Sequence, residues 1–155
     1  MFGLLSQAQI WQPFFMYKYF LIIFFLVFTG CINNKNFKKA ELLSVYDGDT
    51  FKVNFTCKEP LVCKNISIRI KGIDTPEINS KNKCEKLKGI QAKTFTENFL
   101  NKKGEIVLKN CGRDKYFRLG CEVFVNKENL AFELLKAGLA LSYDGKAKIK
   151  KDWCK

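Results

Sequence analysis

The 155-residue chain has no histidine, only three prolines, and arginine at just three positions, Arg69, Arg113 and Arg118. The missing histidine excludes most imidazole-based mechanisms. Any hydrolysis must therefore use carboxylates, guanidinium groups and an oxygen-liganded metal. There is also no Cys-x-x-Cys pair, which together with the lack of histidine argues against a zinc site. The apolar run Phe20 to Phe28 falls short of the ~20 residues that a membrane-spanning helix needs. No internal repeat or low-complexity segment is visible, and the length suits one small domain around a single core.

Charge is present in excess of one sign, with 27 basic against 15 acidic residues and a net +12. Residues 1–30 contain one lysine, Lys18, and no acid, so the excess belongs to the remainder of the chain. Such a charge draws a polyanion, either nucleic acid or an anionic membrane surface, although solvated lysines alone would give the same balance.

Residues 1–30 are expected to be a signal peptide. Lys18 precedes the apolar run, and Thr29-Gly30-Cys31 follows it as a lipobox-like end, with Cys31 as the lipid-modified residue. Plain secretion or an uncleaved anchor is the alternative. Met1 to Phe15 lacks the charged opening of such a leader, which makes Met16 the expected start. Residues 31–39, polar and rich in lysine, read as a tether. Residues 40–143 read as the folded domain and 144–155 as a C-terminal tail. The expected setting is a bacterial cell envelope, with a monomer held to the membrane through its N-terminal lipid.

Six further cysteines remain, an even number that suits disulfides in an exported domain. Local spacing favours Cys57 with Cys63 across a hairpin and Cys111 with Cys121 across a loop. That leaves Cys84 with Cys154, which would pin the tail.

Glu41 to Tyr46 leads into an Asp47-Gly48 turn, after which Phe51, Val53 and Phe55 alternate with polar residues, the signature of a hairpin with one buried face. Ile66, Ile68 and Ile70 mark a third strand, expected to end near Asp74 because Pro76 restricts Thr75. Glu85 to Leu100 reads as a helix with Leu87, Ala92, Phe95 and Phe99 on its buried face despite Gly89. Strands at Glu105 to Lys109 and Leu119 to Val125 follow. A helix from Leu130 to Ala137 comes last, capped by Asn129 and stopped by Gly138. The order predicts an α+β, mainly β, domain: a five-stranded OB-fold Greek-key barrel with two to three helices, though other α+β arrangements give similar strings.

Two short stretches carry the chemistry. Asp47-Gly48-Asp49-Thr50 and Arg69 to Glu77 place acids and an arginine at turns that follow strands. Asp49 and Asp74 are natural oxygen ligands for calcium, with the Thr75 carbonyl as a further donor and Asp47 in the outer shell. Glu77 remains to orient or deprotonate a water. Arg69 and Arg118 can each grip phosphate oxygens in bidentate fashion, Lys115 adds charge, and Tyr116 can pack on a base or sugar. Taken singly, each residue has an ordinary explanation as a turn or a solvated strand position. Together they describe a phosphodiester site.

Four segments carry a resemblance: Val45-x-Asp47-Gly48-Asp49-Thr50, Arg69-x-x-x-x-Asp74-Thr75-Pro76-Glu77, Asp114-Lys115-Tyr116-x-Arg118 and Leu134-x-x-x-Gly138-Leu139-Ala140. In this order they resemble the staphylococcal nuclease family over roughly residues 40 to 143. The resemblance implies an OB barrel that binds calcium through Asp49, Asp74 and the Thr75 carbonyl. It implies that Arg69 and Arg118 hold the scissile phosphate and that Glu77 acts on the attacking water. It also implies cleavage of DNA and RNA to 3′-phosphate ends. Phe117 stands where the family has a glycine, a departure expected to reshape the arginine loop, and Tyr143 is a candidate for nucleotide packing. The Trp153-Cys154 ending is similar to that of an exported bacterial subgroup. A non-catalytic OB module that binds nucleic acid, for instance in DNA uptake, is the rival reading. Degenerate copies typically lose the arginines or the glutamate, and this chain keeps both.

Overall fold

The computed structural model describes residues 35–56, 63–114, 116–146 and 152–154, with backbone alone for residues 35–38. The expected leader, its start at Met16, Cys31, Cys57 and Lys115 lie outside the described residues.

Eight strands and two helices are present among these residues: β1 (Lys35–Val45), β2 (Thr50–Phe55), β3 (Ile66–Ile70), β4 (Ile73–Asp74), α1 (Lys83–Leu100), β5 (Ile106–Arg113), β6 (Leu119–Val125), β7 (Glu128–Asn129), α2 (Leu130–Lys136) and β8 (Leu141–Ser142). The large sheet runs β3-β2-β1-β5-β6-β7, and a parallel pairing of β3 with β6 closes its five long strands on themselves. This is the predicted OB-type barrel. Period-two alternation fills its interior: Phe51 and Val53 of β2, Ile68 and Ile70 of β3, Leu108 of β5, and Cys121, Val123 and Val125 of β6 are all buried. Leu130 and Leu134 of α2 complete this core.

Four local expectations are corrected. Strand β1 runs back to Lys35 and pairs there with Cys111, inside the stretch expected to be a tether. Backbone pairing needs no apolar alternation, so the pattern gave no sign of it. The third strand stops at Ile70 rather than Asp74. Gly72, at φ 81°, turns the chain, and Ile73–Asp74 pairs separately with β8. Strand β5 continues beyond Lys109 to Arg113, through a register break that leaves Asn110 at φ 51°. On α1 the buried stripe is Gly89, Ala92, Thr96 and Phe99, while Leu87 is 62% exposed. The true stripe keeps i, i+3, i+4 spacing, which Leu87 and Ala92 do not.

Asn129 and Gly138 bound α2 as expected, and α1 begins at Lys83, two residues before the expected Glu85, behind a cap that was not foreseen. Asn82 accepts from the Cys84 and Glu85 N–H groups at the start of α1, and Asn129 accepts from Phe132 N–H at 3.1 Å at the start of α2. Gly138 follows α2 at φ 67°. Cys84 is bonded to Cys154 and Cys111 to Cys121, as the spacing proposed. Cys63 is also disulfide-bonded, with its expected partner Cys57 outside the described residues.

Candidate active site

Helix α1 backs two acidic turns at once. Over the first, the Thr96 hydroxyl donates to the Gly48 carbonyl at 2.6 Å, and a Cβ on Gly48 would meet the Ala92 Cβ at 2.7 Å and the Thr75 Cβ at 2.9 Å. Over the second, a Cβ on Gly89 would meet the Pro76 carbonyl oxygen at 2.8 Å. These two glycines let a helix lie directly on the loops that carry the acids. A mid-helix glycine that weakens the helix by about 1 kcal/mol on propensity is thereby explained.

Asp49 joins the two turns. Its carboxylate, in a residue only 4% exposed, accepts from the Thr50 hydroxyl at 3.0 Å through Oδ1 and from the Thr75 N–H at 3.1 Å through Oδ2. Its own N–H donates to Asp47 Oδ1 at 3.0 Å. Arg69 lies opposite Thr50 across β2 and β3, and its guanidinium contacts Asp49 Oδ1 and donates to Asp74 Oδ1 at 2.9 Å. The two carboxylates therefore converge on one cation. Burial lowers the pKa of Arg69, against the opposing pull of Asp74. Burial also raises the pKa of Asp47, against the nearby Arg69 charge and the Thr50 hydrogen bonds.

The arginine loop is built on Asp114. Its Oδ1 accepts from the N–H groups of Tyr116 at 2.8 Å and Arg118 at 2.9 Å, and its Oδ2 accepts from Arg118 Nε at 2.8 Å. Although burial pushes its pKa up, these three bonds win and hold the carboxyl below the usual range. The Arg118 guanidinium lies 5.3 Å from the Tyr116 ring centre, within cation-π range. The backbone keeps the left-handed turn that a glycine would give, with Phe117 at φ 62°.

A cleft of about 380 Å³ is lined by Tyr46, Asp47, Asp49, Thr50, Arg69, Asp74, Thr75, Glu77, Tyr116 and Arg118. It gathers every expected site residue whose side chain is described except Tyr143. That residue is tied elsewhere: its N–H donates to the Gly72 carbonyl at 2.9 Å and its hydroxyl to the Lys146 carbonyl. The sequence reading missed Tyr46, Thr50 and Asp114. Asp114 left a legible signal, because an aspartate followed by a short polar loop commonly caps its own turn.

Among the described residues no three acidic or cysteine side chains cluster closely enough to hold a metal by themselves. Asp49 and Asp74 instead bring two carboxylates together at the Arg69 guanidinium, and oxygen donors of this kind suit a hard cation completed by carbonyl and water ligands.

The barrel and cleft define an OB-fold protein in which two arginines stand beside paired carboxylates. The family described as "Staphylococcal nuclease homologue" matches residues 67–153. The chain belongs to the staphylococcal nuclease family. It is 34% identical over 118 residues to endonuclease YncB of Bacillus subtilis, covering 72% of this chain and 53% of that protein. It is 31% identical over 110 residues to a thermonuclease of Staphylococcus hyicus, covering 70% and 62% respectively. An uncharacterized endonuclease of Haemophilus influenzae is 29% identical over 123 residues, covering 79% and 61%. The chain thus spans roughly half to three-fifths of the length of these relatives.

Proposed function

We propose that this protein is a calcium-dependent nuclease that hydrolyses phosphodiester bonds of DNA, RNA or both and leaves 3′-phosphate ends. The supporting observation is the single cleft that brings Asp49, Asp74 and Glu77 together with Arg69 and Arg118. Asp49, Asp74 and the Thr75 carbonyl would hold the calcium, with Asp47 behind them. The bound ion would supply charge neutralisation at the phosphate. Arg69 and Arg118 bind the scissile phosphate and stabilise the charge that builds on its oxygens. Glu77 accepts or directs the proton of the attacking water, and Tyr116 packs against the nucleotide.

Export with lipid attachment at Cys31 belongs to the same proposal. It rests on the apolar run before Thr29-Gly30-Cys31, and the disulfides in the described fold suit an oxidising compartment. Mass spectrometry of the envelope-derived protein should find a lipid on Cys31, and an unmodified thiol there would refute the anchor. The activity is tested by incubating the oxidised protein with DNA and with RNA, in calcium and then in chelator. Calcium-dependent cleavage with 3′-phosphate ends is expected, and failure to cleave either polymer overturns the reading.

A further inference from the structure

Beside Arg69 the outer face of the barrel carries two facing glycines. Pairing of β3 with β6 sets Arg69 opposite Gly120, and pairing of β6 with β5 sets Gly120 opposite Gly112. They lie one and two strand spacings from Arg69, ~5 and ~10 Å. Neither has a left-handed backbone, and a Cβ would meet nothing nearer than 3.5 Å at Gly120 or 4.0 Å at Gly112. No turn and no close contact within the fold therefore requires glycine here, where it weakens a strand. One side chain crosses this floor. Lys71, two residues past Arg69 and so on the same face, continues the strand pairing through its N–H, which donates to the Cys121 carbonyl at 2.9 Å. Its Cγ and Cε lie 3.5 Å from where a Gly120 Cβ would stand, and its amine donates to the Asn110 carbonyl. The residue is exposed, and no carboxylate among the described residues forms an ion pair with it.

We propose that Gly112 and Gly120 form a trough along which the substrate backbone leaves the two arginines, and that Lys71 leaves Asn110 to bind the phosphate next to the scissile one. This rests on the nuclease reading of the cleft. An ammonium resting on a neutral carbonyl gives up little on moving to a phosphate, where the hydrogen bond is charge-assisted at both ends. The glycines let a backbone approach the sheet closely enough for that exchange. Lys71 is thus a binding and positioning residue rather than a catalytic one. A strand with several phosphates gains a contact that a dinucleotide, with its single phosphate, lacks.

The test measures binding of a labelled oligonucleotide and of a dinucleotide to Glu77→Ala protein in calcium, where cleavage is slowed. Lys71→Ala, placed in that background, is expected to weaken oligonucleotide binding about fivefold or more and dinucleotide binding less than twofold. It should also flatten the fall of log affinity with log salt by about 0.7 to 1, the loss of one phosphate contact. Lys71→Arg should keep the affinity, and with Glu77 intact Lys71→Ala should raise KM for the oligonucleotide more than it lowers kcat. Gly112→Val fills the trough with a residue that strands favour, so Tm should hold or rise while oligonucleotide affinity falls. Equal loss on both ligands, or loss on neither, overturns the proposal. A parallel fall of Tm and affinity in Gly112→Val would make that glycine structural and sink the trough. Wild-type protein that cleaves neither DNA nor RNA would refute the nuclease reading, whereas the binding comparison reads Lys71 independently of turnover.

Discussion

Gly89 lies so close to Glu77 that a Cβ at position 89 would stand 2.9 Å from the Glu77 carbonyl carbon. The helix that buries the rear of the acidic turns therefore also fixes where Glu77 begins. Gly89→Ala should improve helix propensity by about 1 kcal/mol yet force α1 and the Pro76 to Ile78 segment apart. We expect kcat to fall about tenfold or more, with KM changed less, because small displacements of a positioned group are expensive in rate. Steady-state kinetics beside the exposed-site control Ile90→Ala would check this, and an unchanged kcat would show that Glu77 tolerates the shift.

Two substitutions in the cleft separate its roles. Glu77→Ala should lower turnover by about 10²- to 10⁴-fold, the range for losing a general base. Arg118→Ala should lower it by about 10²- to 10³-fold, as for removing a transition-state donor. Single-turnover measurements at saturating substrate read both, and retained activity in either variant would mean that its role is misassigned.

Asp114 gives the arginine loop a pH dependence of known sign. Its pKa is depressed in the folded protein by Arg118 and the loop N–H groups. Its contribution to stability is therefore fully present above the ordinary carboxylate value of about 3.9 and is lost as pH falls through the lower native value. Asp114→Ala should melt at a lower temperature than wild type at pH 7, and the gap should shrink below about pH 4. A gap independent of pH would assign the effect to packing.

Replacing both Cys111 and Cys121 with serine removes a bridge across a sequence separation of 10 at the base of the same loop. The chain-entropy model gives about 2.5 to 3 kcal/mol for so short a loop, enough to lower Tm by about ten degrees or more. Calorimetry checks the stability. Activity well below the melting temperature asks whether the bridge also pre-orders Arg118: a fall beyond twofold supports that role, and undiminished activity leaves stabilisation alone.

Alternating isoleucines and phenylalanines made β2 and β3 readable, because a half-buried strand must repeat every two residues. The backing of the site by α1 was not readable. It depends on two glycines, Gly48 and Gly89, whose importance lies in what a side chain would strike across space. Likewise, β1 before Glu41 is held by pairing with β5 rather than by any apolar pattern. The acids and arginines stood out as residue types, yet nothing local could tell that Asp49 would reach Thr75 or that Tyr143 would turn toward Lys146.

The parallel pairing of β3 with β6 sets Arg69 opposite Gly120, two residues past Arg118. The seam that completes the barrel thus also delivers the second arginine to the first. A chain that has formed only the β1-β2-β3 meander has Asp49 and Arg69 in place but neither the β4–β8 pairing that carries Asp74 nor Arg118. Competence then waits on the pairing of β3 with β6, and no partial sheet short of barrel closure presents both arginines together.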